Sequence, residues 1–110
     1  MIDVRAEDGQ VQVTLSGIEC FLATNHFRWE LAVPTSAVVG VEVHQRVRFD
    51  RLYNRYSRRR DGSGVTCAPR RWPSVSMALA EGPVRSIRVG VPDAEAAAAL
   101  IDRARAEAGR

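Results

Sequence analysis

Lysine is absent from this chain: all 16 residues of the Lys+Arg count are arginine. With the abundance of alanine, this points to a GC-rich genome, so part of the arginine content reflects codon composition rather than selected chemistry. Cysteine is scarce too. Cys20 and Cys67 stand far apart and read as two free thiols rather than a bridge. Together with His26 and His44 they show none of the close spacings, such as C-x-x-C or H-x-x-x-H, that set two ligands on one turn or hairpin. No metal centre and no cofactor is therefore expected. No apolar run approaches the roughly 20 residues that a membrane-spanning helix needs. The N-terminus opens on Asp3 and Arg5 rather than on a signal peptide, so a cytoplasmic location is expected. G-x-S-x-G, G-x-G-x-x-G and the P-loop are all missing, which removes the common nucleophile-elbow and nucleotide-cradling chemistries. An enzyme is not expected.

Alternation is what the chain has in quantity. Val75, Met77 and Leu79, and again Ile87, Val89 and Val91, recur every second residue, the period that places side chains on one face of a strand. Glu81-Gly82-Pro83 between them is a turn, because Gly frees the backbone and Pro cannot donate to a ladder. Asp93 then reads as the N-cap of an Ala-rich helix with Glu95 in its first turn. Ala97, Leu100, Ile101, Ala104 and Ala108 share the face that should lie on the sheet.

The first half follows the same logic. A short strand over Ile2 to Arg5, a turn at Glu7-Asp8-Gly9 and a strand over Gln10 to Leu15 form a hairpin of the Asp-Gly kind. Ser16 and Glu19 have the spacing of a capping box, and Ile18, Phe21 and Leu22 fit helical spacing, so one or two helical turns should follow, ending at Thr24-Asn25. His26 to Val33 returns to period two, with Phe27, Trp29, Leu31 and Val33 on one face, and stops at Pro34. Val39, Val41 and Val43 make a fourth strand, expected to continue an antiparallel meander because the connections are short. The segment 50–66 reads as an Arg-rich mobile loop, with a short strand recovered from Val65.

One domain spanning 1–110 follows from the length. Its class is mainly β (α+β): an antiparallel barrel or sandwich of about seven strands capped by one C-terminal helix. In the order of these elements the sequence resembles a pleckstrin-homology-like (PH-like) domain, and in particular a group of small bacterial PH-like proteins. The resembling stretches are Val11 to Gly17, Leu31 to Val43, and Val75 to Glu95. The resemblance implies two nearly orthogonal antiparallel sheets with one barrel end plugged by the last helix. It implies no reaction, since such barrels scaffold unrelated binding tasks.

Charge supplies the functional candidate. Between Arg46 and Arg71 nine arginines face Asp50 and Asp61, a balance of +7, whereas the remaining seven arginines face eleven acids, a balance of −4. Arg55, Arg58, Arg59, Arg60, Arg70 and Arg71 would present guanidinium forks that bind phosphate bidentately. Tyr53, Tyr56 and Trp72 are interleaved among them, and aromatics so placed stack on bases. Cys67, close to Arg70 and Arg71, is a candidate nucleophile, because nearby positive charge lowers a thiol pKa. Its bland alternative is a small buried strand residue. The leading expectation is a non-catalytic binding or scaffold domain that meets an acidic protein partner, or another copy of itself, through strand edges or the Arg-rich segment. The other is binding of an anionic ligand or nucleic acid through those arginines.

Overall fold

The computed structural model describes residues 1–45, 56–69 and 71–108. Its first sheet holds β1 (Ile2–Glu7), β2 (Gln10–Ser16) and β3 (Arg28–Pro34), antiparallel and in that order. Asp8 and Gly9 both take left-handed backbone, φ 54° and 74°, and join Glu7 to its partner Gln10. Such a two-residue turn matches the twist of the strands it connects, as the Asp-Gly dipeptide foretells. Val11, Val13 and Leu15 of β2 point inward and are fully buried. Between β2 and β3 lies α1 (Gly17–Thr24), closed at its C-terminus by left-handed Asn25, whose N–H donates to Phe21 O at 2.8 Å.

The expected meander breaks after β3. Pro34 has no N–H with which to continue, and the chain turns through a short 3-10 segment, Thr35–Ala37. That corner is pinned on both sides: the Thr35 N–H and hydroxyl both donate to Gly9 O, at 2.9 and 3.2 Å, and Ala80 N–H donates to Ala37 O at 2.8 Å. β4 (Val38–His44) consequently leaves the first sheet and pairs with β7 (Ser74–Leu79) in a second one. A bulge sits at its start, where Val38 faces Leu79 and Gly40 faces Ala78. Val39 is the extra residue, and it is 58% exposed rather than in phase with Val41 and Val43.

The second sheet runs β4-β7-β8-β6-β5, with β8 (Ser86–Gly90), β6 (Gly64–Cys67) and β5 (Tyr56–Arg58). Two expectations are corrected here. The described part of segment 50–66 holds a β5–β6 hairpin: the strand expected from Val65 is β6, and Tyr56–Arg58, expected in the loop, pairs with it as β5, bringing the strands among the described residues to eight. The sheet is also not wholly antiparallel, because β8 inserts between β7 and β6 and runs parallel to β6. The crossing from β6 to β7 passes directly over the end of β8. A Cβ at Gly90 would stand 2.7 Å from Pro69 Cδ, so only glycine admits this approach.

The capping helix, α2 (Ala94–Ala108), starts as expected: Asp93 Oδ1 accepts the Ala96 N–H at 3.0 Å. Its buried stripe is Ala94, Ala98 and Ile101, and Ala108 of the expected face is exposed. α2 packs on β1 of the first sheet and on β4 and β7 of the second, while α1 packs on β2 and β3 and on β5 and β6. Each helix thus closes the gap between the sheets at opposite edges of the second one. The two sheets remain open and are not joined into the expected barrel. One core of Leu15, Val89, Ile87, Ile101 and their neighbours lies between them.

Candidate interaction surface

The β5–β6 hairpin sets Tyr56 opposite Cys67 and Arg58 opposite Val65. Its turn is tied by Arg59 N–H to Gly64 O at 2.8 Å, and Asp61 Oδ1 accepts both the Ser63 hydroxyl at 2.7 Å and the Ser63 N–H at 3.0 Å. The Ser63 donors hold the Asp61 carboxyl below its ordinary range, with a smaller contribution from Arg59. Arg58, Arg59 and Arg60 are all exposed. None makes an ion pair among the described residues.

Arg71 is placed differently. One of its Nη atoms lies 2.7 Å from Glu19 Oε1, and its guanidinium carbon stands 4.2 Å above the Trp72 ring. Glu19, whose side chain is 16% exposed, is therefore committed to Arg71 rather than to the capping box, and Ser16 makes no side-chain cap bond. Tyr56 packs against the core. The expected arrangement of arginines with free aromatic faces is thus only partly assembled: Arg58, Arg59 and Arg60 share the hairpin, whereas Arg71 covers one face of Trp72 and is neutralised by Glu19. Arg55, Arg70 and Tyr53 lie outside the described residues.

Cys67 is fully buried, and burial pushes its thiol up to about 12. Glu19 and Cys20 make smaller contributions to that rise, and the nearby Arg71 opposes it only weakly. This environment is the opposite of an activated nucleophile. A second polar group crosses the outer face of the second sheet. His44 Nε2 lies 2.9 Å from Ser76 Oγ, and Arg88 Nε donates to Ser74 Oγ at 2.8 Å. Glu42 approaches the same His44 nitrogen at 4.0 Å, and among the described residues no carboxylate pairs with Nδ1 as a serine–histidine–acid relay needs. Surface cavities of 410, 290, 240 and 210 Å³ are lined by other residues. Among the described residues no group of three or more His, Cys, Asp or Glu gathers to hold a metal ion.

The feature that the sequence concealed is the orientation of α1. Spacing marks Ile18, Phe21 and Leu22 as its packing face, yet the buried residues are Cys20, Ala23 and Thr24. Thr24 secures the inward turn: its hydroxyl donates to Cys20 O at 2.8 Å and accepts the His26 N–H at 3.3 Å. Small side chains let the helix settle closely on β5 and β6, a gap that the bulkier residues would not fit. Ile18, Leu22 and Phe27 are left 63%, 56% and 62% exposed. Phe21 stacks on Phe27 with ring centroids 4.7 Å apart and planes 19° from parallel. The discernible signal was the equally helical spacing of Cys20, Ala23 and Thr24, a run of small residues.

The arginines meet this helix. Arg71 reaches it at Glu19 and Arg58 at Thr24 O, through Nη1 at 3.5 Å. Glu19 and Phe21 are two residues, about 200°, apart around the axis, so the charged and aromatic flanks lie on opposite sides of an Ile18–Leu22 crown. No family model, curated protein or solved structure matches this chain.

Proposed function

We propose that this chain is a small non-catalytic binding module that takes a protein partner on the outer face of α1. The observation carrying this reading is that Ile18, Phe21, Leu22 and Phe27 crowd bulky apolar side chains into solvent at one place. Their fractional exposures correspond to on the order of 400 Å² of contiguous apolar surface, a size that marks interaction sites on small proteins. The burial of Cys67 and the lack of a relay around His44 support a binding role over a catalytic one. The order of strands followed by a closing C-terminal helix supports a PH-like relationship, and two free buried cysteines suit a cytoplasmic setting.

A photo-crosslinking amino acid placed at Leu22, and separately at Val39, tests the reading in cells that express the protein. Val39 is equally exposed and apolar but lies on β4, away from α1. A discrete protein adduct from position 22, absent from position 39 and lost in an Ile18→Glu background, is the expected result. Equal adducts from both positions would contradict it.

The exposed run Arg58-Arg59-Arg60, without a carboxylate partner among the described residues, favours a second reading: binding of an anionic ligand or nucleic acid. Affinity for a mixed oligonucleotide pool should then fall steeply with salt, as released counterions require, and vanish when all three are changed to Ala. Affinity indifferent to salt would remove this reading.

A further inference from the structure

We infer that the occupant of the α1 face is an acidic amphipathic helix, a conclusion that rests on the proposed role of that face and narrows it to one partner chemistry. Ile18 and Leu22 are one turn apart, so their side chains form an i, i+4 ridge of the kind that packs into the grooves of a second helix. The stacked rings of Phe21 and Phe27 extend the apolar surface to one side.

Among the described residues around α1, the charge left to a partner is positive and lies at the C-terminal end of the helix. The Glu19 carboxylate is held by Arg71 at 2.7 Å, and Arg28 is held by Glu30 at 2.6 Å. Among the described residues the Arg58 guanidinium makes one long contact, 3.5 Å to Thr24 O, and no ion pair. A guanidinium carries five N–H donors in a planar fork, so Arg58 retains the capacity to bind a carboxylate bidentately at the end of the crown. An apolar stripe flanked by Asp or Glu is complementary to both features. A second copy of this chain is not: it would bring arginine against an equally basic surface.

The test titrates the isotopically labelled full chain with synthetic helices of about 18 residues. One has a leucine stripe with a Glu polar face, the second the same stripe with Lys, and the third the Glu face with Ser in place of Leu. Anionic lipid vesicles form a fourth arm. The expected result is perturbation of amides in α1 and β5 by the Glu/Leu helix, with at least about tenfold tighter binding than the Lys/Leu helix. Leu22→Glu should abolish that binding, and Arg58→Glu should erase the preference for Glu over Lys while leaving the amide spectrum folded. If the Glu/Leu and Lys/Leu helices bind α1 equally, the acidic partner is wrong while the α1 surface stands. If no helix perturbs α1, both fall. Perturbation of α1 by vesicles alone overturns the inference in favour of a membrane surface, and equal binding of the Glu/Ser helix assigns the site to the arginines without the apolar crown.

Discussion

Phe21 and Phe27 lie ring on ring, 4.7 Å between centroids, on the outside of the molecule. Phe27 is 62% exposed and Phe21 37%, so the pair holds the loop after α1 against the helix without belonging to the core. Phe27→Ala should therefore cost only about 0.5–1.5 kcal/mol, the value of an aromatic pair. Leu15→Ala and Ile101→Ala, which empty fully buried positions, should each cost about 2–5 kcal/mol. Urea unfolding of the three variants checks the ranking, and a Phe27→Ala cost in the core range would mean that the stack is structural rather than available to a partner.

The two helices differ in how they begin. Asp93 accepts an N–H of α2, whereas the Ser16 side chain makes no cap bond to α1. Asp93→Ala is expected to lower stability by about 1 kcal/mol, and Ser16→Ala by less than about 0.5 kcal/mol. Thermal unfolding of both variants at one pH measures the difference.

Glycine is required at one strand position and dispensable at another. A Cβ at Gly90 meets Pro69 Cδ at 2.7 Å, on a ring closed onto its own backbone, and the backbone atoms Pro69 N at 3.1 Å and Ala68 Cα at 3.2 Å, none of which can swing aside. At Gly40 the nearest atom is Ala78 Cβ, at an ordinary 3.9 Å. Gly90→Ala should cost about 1–3 kcal/mol, and Gly40→Ala should be neutral or slightly stabilising. Equal effects in denaturant would show that Ala68 and Pro69 do not run over β8.

Cys67 links stability to alkaline pH. Its folded thiol ionises near 12, against an ordinary 9.0, so above pH 9 the unfolded chain loses this proton before the folded one does. The contribution is complete below pH 9 and declines as pH rises toward 12, at no more than about 1.4 kcal/mol per pH unit. The stability advantage of the native chain over Cys67→Ala should shrink through that window. Iodoacetamide at neutral pH should spare Cys67 in the folded protein and modify it in urea; rapid labelling of the folded form contradicts the burial.

Much of the fold was legible because alternation is an unambiguous signal. Val11-Val13-Leu15 and Val75-Met77-Leu79 lie inward as their period demands, Asp8-Gly9 forms its turn, and Asp93 caps its helix. What periodicity does not carry is which strand lies beside which. Pro34 marks the end of β3 in sequence, but only the pinning of Thr35 on Gly9 and of Ala37 by Ala80 shows that the chain changes sheets there. The parallel pairing of β6 with β8 likewise depends on the path of Pro69 over Gly90. Of the candidate residues, Arg58, Arg59 and Arg60 were expected in an Arg-rich loop and lie exposed on a hairpin, and composition could not reveal that Arg71 is engaged by Glu19 and Trp72. The helical turns expected from Ile18, Phe21 and Leu22 are present, but spacing does not say which face turns inward: a stripe of bulky residues at helical spacing normally faces a core, and here a stripe of smaller ones does so instead.

The most direct test of this account is the stability of an Ile18→Glu/Leu22→Glu double variant measured beside Ala23→Glu. Ala23 is 3% exposed on the inner side of α1, and the other two residues form the crown. The outward crown predicts a double variant within about 1 kcal/mol of the parent chain, two exposed substitutions of about 0.5 kcal/mol each, and an Ala23→Glu variant that unfolds or loses several kcal/mol. A double variant that unfolds while Ala23→Glu remains stable would place Ile18 and Leu22 in the core and remove the surface on which the proposed function depends.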